Sequence, residues 1–204
     1  MPSYGFDPRL RGSGYRNLDT GLLVSRTQVL EWVNISLGQS TSVTDTLASF
    51  VGGDSPTLSP ADWRLAMRQE IKDEYIRQYL TGVGGRDQMT PARWGQVGGM
   101  LSDQYRYLDG FDVGELSEAQ IAARSRMYIN SAREGFERAN KQIKVDAGAT
   151  EEKWNLNPAE HCEDCIAFAD MGWQLIEEDA FGGAIPGSGA TKCLTNCKCG
   201  LTYK

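Results

Sequence analysis

Apolar residues recur every three or four positions through much of the first 150 residues, which is the spacing of an amphipathic helix. The clearest segment begins at Ser59, an N-cap residue that is followed by Pro60 at the first helical position. We expect this helix to end near Thr81, before a glycine-rich stretch. Its apolar residues lie four positions apart and would cover one face: Trp63, Met67, Ile71, Tyr75 and Tyr79.

Two further helices are predicted downstream by similar start signals. Thr90 and Pro91 open one of them, and Ser117 and Gln120 form a capping box that opens the longest, which reaches about Ile143. The first has the apolar residues Trp94, Val97, Leu101, Tyr105 and Leu108. The buried stripe of the second is predicted to be Ile121, Tyr128, Ala132, Phe136, Ala139 and Ile143.

The pattern upstream of Ser59 is weaker. We predict a short helix over residues 25–37, stopped by Gly38, and a second helical piece over residues 43–51. Residues 1–20 contain glycine, proline and arginine without periodicity, so we expect an extended N-terminal arm.

Three glycines lie inside the helix that starts at Thr90, where each costs about 1 kcal/mol relative to alanine. No Gly-Lys-Ser/Thr sequence follows them, so they do not form a phosphate-binding loop. We therefore expect close helix packing at Gly95, Gly98 and Gly99.

The longest predicted helix carries four arginines, most of them on its polar flank. We expect a solvated face that pairs with Glu134 and Glu137, rather than a binding patch. These arginines are Arg124, Arg126, Arg133 and Arg138.

Beyond a linker at residues 145–150 the pattern changes to short strand-like pieces at residues 153–156, 173–176 and 201–203. This segment is too small to be held together by apolar burial alone. The sequence thus predicts a mainly α fold. It comprises an extended arm (1–20), a helical body (21–149) and a small α+β cysteine-rich module (150–204).

Charge and hydropathy exclude several classes of protein. The 204 residues include 21 basic and 27 acidic side chains, and residues 150–204 hold nine acids and four bases, or −5 of the net −6. Such a chain lacks the basic surface that non-specific nucleic-acid binding requires. It also lacks a long apolar run for a membrane span, and its start does not resemble a secretory signal, so we expect folding in the cytosol.

All five cysteines lie after Glu160. An odd, clustered set in a chain without a secretion signal favours metal binding over a disulfide framework. The candidate ligands for a structural zinc ion are Cys162, Cys165, Cys193, Cys197 and Cys199.

A tetrahedral ion needs four ligands, so the choice among them stays open. Cys162 and Cys165 have the C-x2-C spacing that brings two thiolates onto one ion, and we combine them with two of the three later cysteines. His161 directly precedes Cys162, and neighbouring ligands strain the geometry. We therefore expect it beside the ion or exposed.

The cysteines have three alternative roles. A redox-active pair needs a lowered thiol pKa, whereas Glu163 and Asp164 between Cys162 and Cys165 raise it. A deaminase zinc site needs an H-x-E sequence and a later P-C-x2-C, which the chain lacks. Disulfide formation, with Cys193 pairing any of the others, is the second choice after metal.

Enzyme sites are further limited because the chain has one histidine, His161. Zinc-protease motifs with two histidines cannot be built, and a Ser-His-Asp triad would need a histidine that adjoins the cysteine cluster. We predict that the protein is not an enzyme.

Four features follow one another over roughly residues 120–204: an arginine-containing helix, Trp154, the C-x2-C and the Asn-Cys-Lys-Cys run at residues 196–199. In these features the C-terminal half resembles the Mu F-like minor head (head morphogenesis) proteins of tailed phages. The family has an Arg-Thr-Glu-like helix start where this chain has Arg-Met-Tyr at 126–128. The family histidine is absent, and Cys193, one residue further upstream, is the candidate that replaces it.

The resemblance implies a structural virion protein without catalytic activity. Members of the family assist head assembly and lie near the portal or inside the shell, so the expected partners are phage capsid or portal subunits. We expect no sequence-specific nucleic-acid binding and no membrane contact. A zinc-stabilised adaptor that binds a partner protein, and a thiol or zinc enzyme, are the alternatives in that order.

Overall fold

The computed structural model describes residues 4–6, 14–52 and 55–204 and confirms a mainly helical chain. The α-helices of this part of the chain are α1 (Arg26–Val51), α2 (Pro60–Val83), α3 (Pro91–Asp109), α4 (Glu118–Asn130), α5 (Arg133–Asp146) and α6 (Glu163–Asp170). Its strands are β1 (Tyr4–Phe6), β2 (Tyr15–Asn17), β3 (Leu23–Val24), β4 (Glu151–Asn155), β5 (Trp173–Leu175) and β6 (Gly200–Tyr203). They form two antiparallel sheets, in the orders β1-β2-β3 and β5-β4-β6.

Helix α2 is the centre of the helical body and packs against α1, α3 and α5. Its start is as predicted, because the Ser59 hydroxyl accepts a hydrogen bond from the Asp62 N–H at 3.1 Å. The predicted apolar row from Trp63 to Tyr79 is confirmed as core, with every side chain in it almost fully buried. Burial of such side chains is the main source of stability for the body.

Helix α1 is continuous through Gly38, so the predicted stop at that residue and the two separate pieces are wrong. The buried row of α1 continues across the glycine. Two of its members, Ser40 and Thr44, are polar, so the helical spacing of apolar residues is not visible in the sequence there. Ser40 is buried because its hydroxyl donates to the Glu74 carboxylate of α2 at 2.9 Å. A single helical glycine costs only about 1 kcal/mol, which the packing of a 26-residue helix outweighs.

The predicted long helix that ends near Ile143 is instead two helices, with a break at Ser131 and Ala132. The backbone tightens there, because the N–H of Ala132 donates to the Ile129 carbonyl at 3.0 Å, three residues back. The Ser131 hydroxyl also donates to the Tyr128 carbonyl, at 2.7 Å. Helix α5 begins immediately afterwards.

The expectation of close packing at Gly95, Gly98 and Gly99 is wrong, because no neighbouring atom lies within 4 Å of a Cβ placed at any of them. The close contact is at Gly82, where a Cβ would lie 2.5 Å from the Phe136 carbonyl oxygen and 2.6 Å from the Ala139 Cβ. Helices α2 and α5 therefore meet at Gly82, beyond the predicted end of α2.

The described part of the predicted arm is extended, in strands β1 and β2. It is attached to the body through Tyr15, a buried residue whose hydroxyl donates to the Gly82 carbonyl at 2.5 Å. Residues 1–3 and 7–13 of the arm lie outside the described residues.

The second sheet carries the C-terminal module and overlaps all three predicted strand-like pieces. Its central strand, β4, pairs with β5 on one side and β6 on the other. Strand β6 packs against α5, and Lys141 of α5 pairs with the buried Glu152 of β4 at 3.0 Å. The module is therefore attached to the body along α5.

Candidate metal centre

The first two cysteines lie at the N-terminal end of α6. Cys162 is the N-cap residue of this helix and Cys165 lies in its first turn, so the C-x2-C spacing places both thiols at one helix end. The Cys162 carbonyl accepts the first helical hydrogen bond, from the Ile166 N–H at 3.2 Å. Cys165 is fully buried, whereas Cys162 is half-buried.

The two acids between these cysteines contact Lys192, the residue before Cys193. The Asp164 carboxylate accepts a hydrogen bond of 2.7 Å from the Lys192 backbone N–H, and Glu163 forms an ion pair with the Lys192 ammonium. These contacts fix the chain next to Cys193. Glu163 and Asp164, which the sequence marked only as acids that disfavour a redox pair, thus contact the residue that precedes Cys193.

The later cysteines flank a short 3-10 turn over Leu194–Asn196 and lead into β6. Cys197 and Cys199 are two residues apart in extended chain and are both buried. The turn reverses the chain and uses a positive φ of 51° at Leu194. All three later cysteines thereby face α6.

The five thiols form two groups that share Cys165: Cys162, Cys165 and Cys193, and Cys165, Cys197 and Cys199. Within each group all Sγ atoms lie within 4.8 Å of one another. The Cys165 Sγ lies 3.6 Å from the Sγ atoms of both Cys193 and Cys197. Zinc–sulfur bonds of about 2.3 Å at tetrahedral angles separate two sulfurs by about 3.8 Å. The cluster therefore could hold a metal ion.

The cysteines are free thiols in this structure. A disulfide needs two sulfurs about 2 Å apart, well below the 3.6 Å separations around Cys165. The disulfide alternative is therefore not the arrangement observed.

Hydrogen bonding between two of the thiols lowers the pKa of one and raises the pKa of the other. The Cys199 thiol, as the nearby hydrogen-bond partner, lowers the pKa of Cys197 to about 5. The same hydrogen bond, together with burial, raises the pKa of Cys199 far above its ordinary value. The thiolate is the form of cysteine that binds metal ions, so the lowered pKa of Cys197 favours metal binding.

His161 lies beside the cluster. Its Nε2–H donates to the Asn157 carbonyl at 2.7 Å, and its Nδ1 lies 3.4 Å from the Cys199 Sγ. Because a carbonyl only accepts hydrogen bonds, Nε2 carries a proton. The ring thus faces Cys199.

Aromatic side chains surround the buried cysteines. Trp154 lies 5.0 Å from Phe168 and 5.6 Å from Phe181 between ring centroids, and Leu201 closes the cluster from β6. These side chains exclude water from Cys165, Cys197 and Cys199. Exclusion of water strengthens the interaction of thiolates with a cation.

Two arginines and one acid, all buried or largely buried, attach the cluster to the helical body. Arg133 of α5 donates to the Cys199 carbonyl at 2.9 Å, and Arg26 of α1 donates to the Leu201 carbonyl at 3.1 Å. The Glu137 carboxylate accepts the Leu201 backbone N–H at 3.3 Å, and burial raises the pKa of Glu137. The extended chain that follows the last two cysteines is thus held by charged groups of two helices.

The predicted solvated face is therefore wrong for Arg133 and Glu137, which are both buried. It is right for Arg138, whose exposed guanidinium pairs with Glu134 at 2.6 Å. The sequence contained a signal, because Arg133 lies four residues after Ile129 and three before Phe136, which is the spacing of the buried stripe.

A separate groove lies between α3, α5 and the loop that follows β5, with a volume of about 540 Å³. Its lining includes Tyr75, Met100 and Asp179 but no cysteine. The thiol cluster does not open into this groove. No described helix is both long and apolar enough to cross a membrane.

Comparison with protein-family models, with curated proteins and with solved structures finds no match to this chain.

Proposed function

We propose that the protein is a structural component of a tailed-phage head that docks on capsid or portal subunits and has no catalytic role. One zinc ion, bound by the cysteine cluster, stabilises its C-terminal module. The observation that carries the proposal is the convergence of five thiols around buried Cys165. Arg133 and Arg26 of the helical body bind backbone carbonyls in the chain segment that contains the last of these cysteines.

Zinc is the ion that best fits this donor set. Thiolates are soft ligands that select zinc over magnesium or calcium, and zinc takes four of them in a tetrahedron. Cys162 and Cys165, with two of Cys193, Cys197 and Cys199, supply such a set, and His161 orients or shields it from beside Cys199. The bound ion would contribute folding free energy to a module with a small core.

A structural role is supported by the excess of thiolates. A catalytic zinc keeps an open coordination position for water, whereas this cluster offers more protein ligands than a tetrahedral ion can use. The histidine that could act as a base faces Cys199 and is hydrogen-bonded to the Asn157 carbonyl.

The phage-head assignment is supported by the Asn-Cys-Lys-Cys run at residues 196–199, which enters the cluster through two buried cysteines. Assembly would take place in the host cytoplasm, and the mature location would be the virion.

Two measurements test the proposal. Elemental analysis with a free-thiol count, on protein purified under reducing conditions, should give one zinc per chain and five thiols after the zinc is removed. Virions of the phage that encodes the chain should contain it at fixed copy number. Zinc without incorporation into virions would favour the adaptor, and paired cysteines without metal would contradict the zinc site.

A further inference from the structure

Strand β5 is an edge strand of the C-terminal sheet, because in the described chain its partner is β4 alone. The Ile176 N–H donates to the Thr150 carbonyl at 3.0 Å, and the register pairs Gln174 with Glu152. Hydrogen-bonded pairs alternate along an antiparallel ladder. The backbone groups of Trp173 and Leu175 therefore point away from β4, towards the open edge.

The side chains around this edge are unusually apolar for a solvent-facing surface. Trp173 and Leu175 share one face of β5 and are 40% and 39% exposed. Met171, two residues before β5, is 41% exposed. Exposed apolar groups that share one face of an edge strand mark an interaction surface.

The same segment is strongly acidic. Residues 163–179 contain six acids and no lysine or arginine, and Glu177, Glu178 and Asp179 directly follow β5 on the exposed surface. Edge strands that must stay unpaired are commonly very short or carry lysine or proline; β5 is short, at three residues, but has neither lysine nor proline. Three lysines from outside the segment contact it: Lys192 pairs with Glu163, Lys204 lies over the Trp173 ring at 4.7 Å, and Lys153 of β4 is the register partner of Trp173.

We propose that the open edge of β5 is the docking surface for an extended, lysine- and arginine-containing segment of a partner protein, which adds to the sheet as a further strand. Backbone hydrogen bonds to Trp173 and Leu175 supply pairing, apolar side chains of the segment cover the exposed side chains of these two residues, and its cations face the acids after β5. The acidic surface repels nucleic acid, so the occupant is a polypeptide. This inference rests on the docking role proposed above and names its contact surface.

Leu175 allows a test that removes one backbone donor and little else. Its φ of −68° and ψ of 133° are values that proline adopts, and the preceding residue is in a strand, which a following proline tolerates. Leu175→Pro deletes the N–H that points to the open edge and preserves the hydrogen bonds with β4. Leu175→Ala removes the same side chain but keeps the N–H, and is the matched control.

The probe is a capped, fluorescent peptide of alternating lysine and valine, compared with one in which glutamate replaces every lysine. Fluorescence anisotropy with the full chain should detect the lysine peptide alone, with an affinity that falls as salt concentration rises. Leu175→Pro should weaken binding by about tenfold beyond Leu175→Ala, as expected for one lost hydrogen bond. The double variant Glu177→Gln, Glu178→Gln should weaken it by roughly threefold to tenfold through lost charge.

Equal binding of the glutamate peptide, or unchanged binding by both Leu175→Pro and the double variant, would overturn the proposal. So would sedimentation showing that the chain self-associates through this edge and that Leu175→Pro abolishes the association, since the occupant would then be a second copy. Circular dichroism and zinc content verify that each variant is folded. Failure of the peptide test leaves the zinc stoichiometry and virion incorporation untouched, so the two proposals fail separately.

Discussion

Arg133 and Cys199 are joined by a hydrogen bond of 2.9 Å between a guanidinium of the helical body and the backbone carbonyl of a candidate metal ligand. The arginine is 1% exposed, and Glu137 lies 3.9 Å away on the next turn. A charge this deeply buried is tolerated only where partners surround it. The contact therefore makes the body part of the scaffold that positions the cluster.

Replacing Arg133 by methionine should lower the free energy of unfolding by about 3–5 kcal/mol, because Glu137 would lose one of its two neighbouring cations inside the protein. Urea unfolding of wild type and variant measures the difference. The matched control is Arg138→Met, which removes an exposed arginine of the same helix and should cost about 0–1 kcal/mol. Equal losses in the two variants would mean that Arg133 contributes only as a surface residue does.

Two glycine-to-alanine variants should move stability in opposite directions. Gly82→Ala forces α2 and α5 apart, because the new methyl group would lie 2.5 Å from the Phe136 carbonyl oxygen, and should cost about 1–3 kcal/mol. Gly98→Ala places its methyl group in open space within α3 and should stabilise the protein by up to about 1 kcal/mol. Thermal unfolding of both variants compares them. Stabilisation by Gly82→Ala would contradict the close approach of the two helices.

Cys165→Ser should abolish high-affinity metal binding, because Cys165 belongs to both thiol groups and every candidate ligand set uses it. Loss of the ion should unfold residues 150–204 and leave the helical body folded. Chelator competition measures the metal, and hydrogen exchange should show lost protection in β4 and β6 with retained protection in α2. His161→Ala is the control and should keep one metal per chain. Retained metal in Cys165→Ser would exclude these ligand sets.

Burial of Lys144 should make the free energy of unfolding depend on pH in the alkaline range. Burial lowers its pKa from the ordinary 10.5 to about 8, so between these values the unfolded chain binds a proton that the folded chain does not. Stability must then rise with pH through this window. Relative to Lys144→Met, wild type should gain stability between pH 8 and pH 10 in urea titrations. Lys144→Arg stays charged and should show no such gain.

The sequence predicted those parts of the fold in which one residue class recurs at a fixed spacing. The row from Trp63 to Tyr79, the helix start at Ser59 and the grouping of the cysteines all belong to this class, and the structure contains them. The helix start and the apolar row depend on local chemistry. The cysteine cluster depends on a residue type that has few roles in a protein other than metal binding and disulfide formation.

What the sequence did not reveal depends on contacts between distant residues. Ser40 is buried in α1, beyond Gly38, where Glu74, 34 positions away, accepts its hydroxyl. Gly82 lies within a helix because α5 packs directly against it. Arg133 is buried because a carbonyl 66 residues later accepts its hydrogen bond. Tertiary context overrides local propensity at each of these positions.

The hydrogen bond from Arg26 to the Leu201 carbonyl joins residues 175 positions apart, and it has a consequence for biosynthesis. A ribosome makes all the helices of the body before it makes Leu201, and domains tend to fold in the order in which they emerge. During that interval Arg26, Arg133 and Glu137 have no β6 to bind and can remain hydrated. The nascent body thus presents these three charged groups to water until β6 covers them.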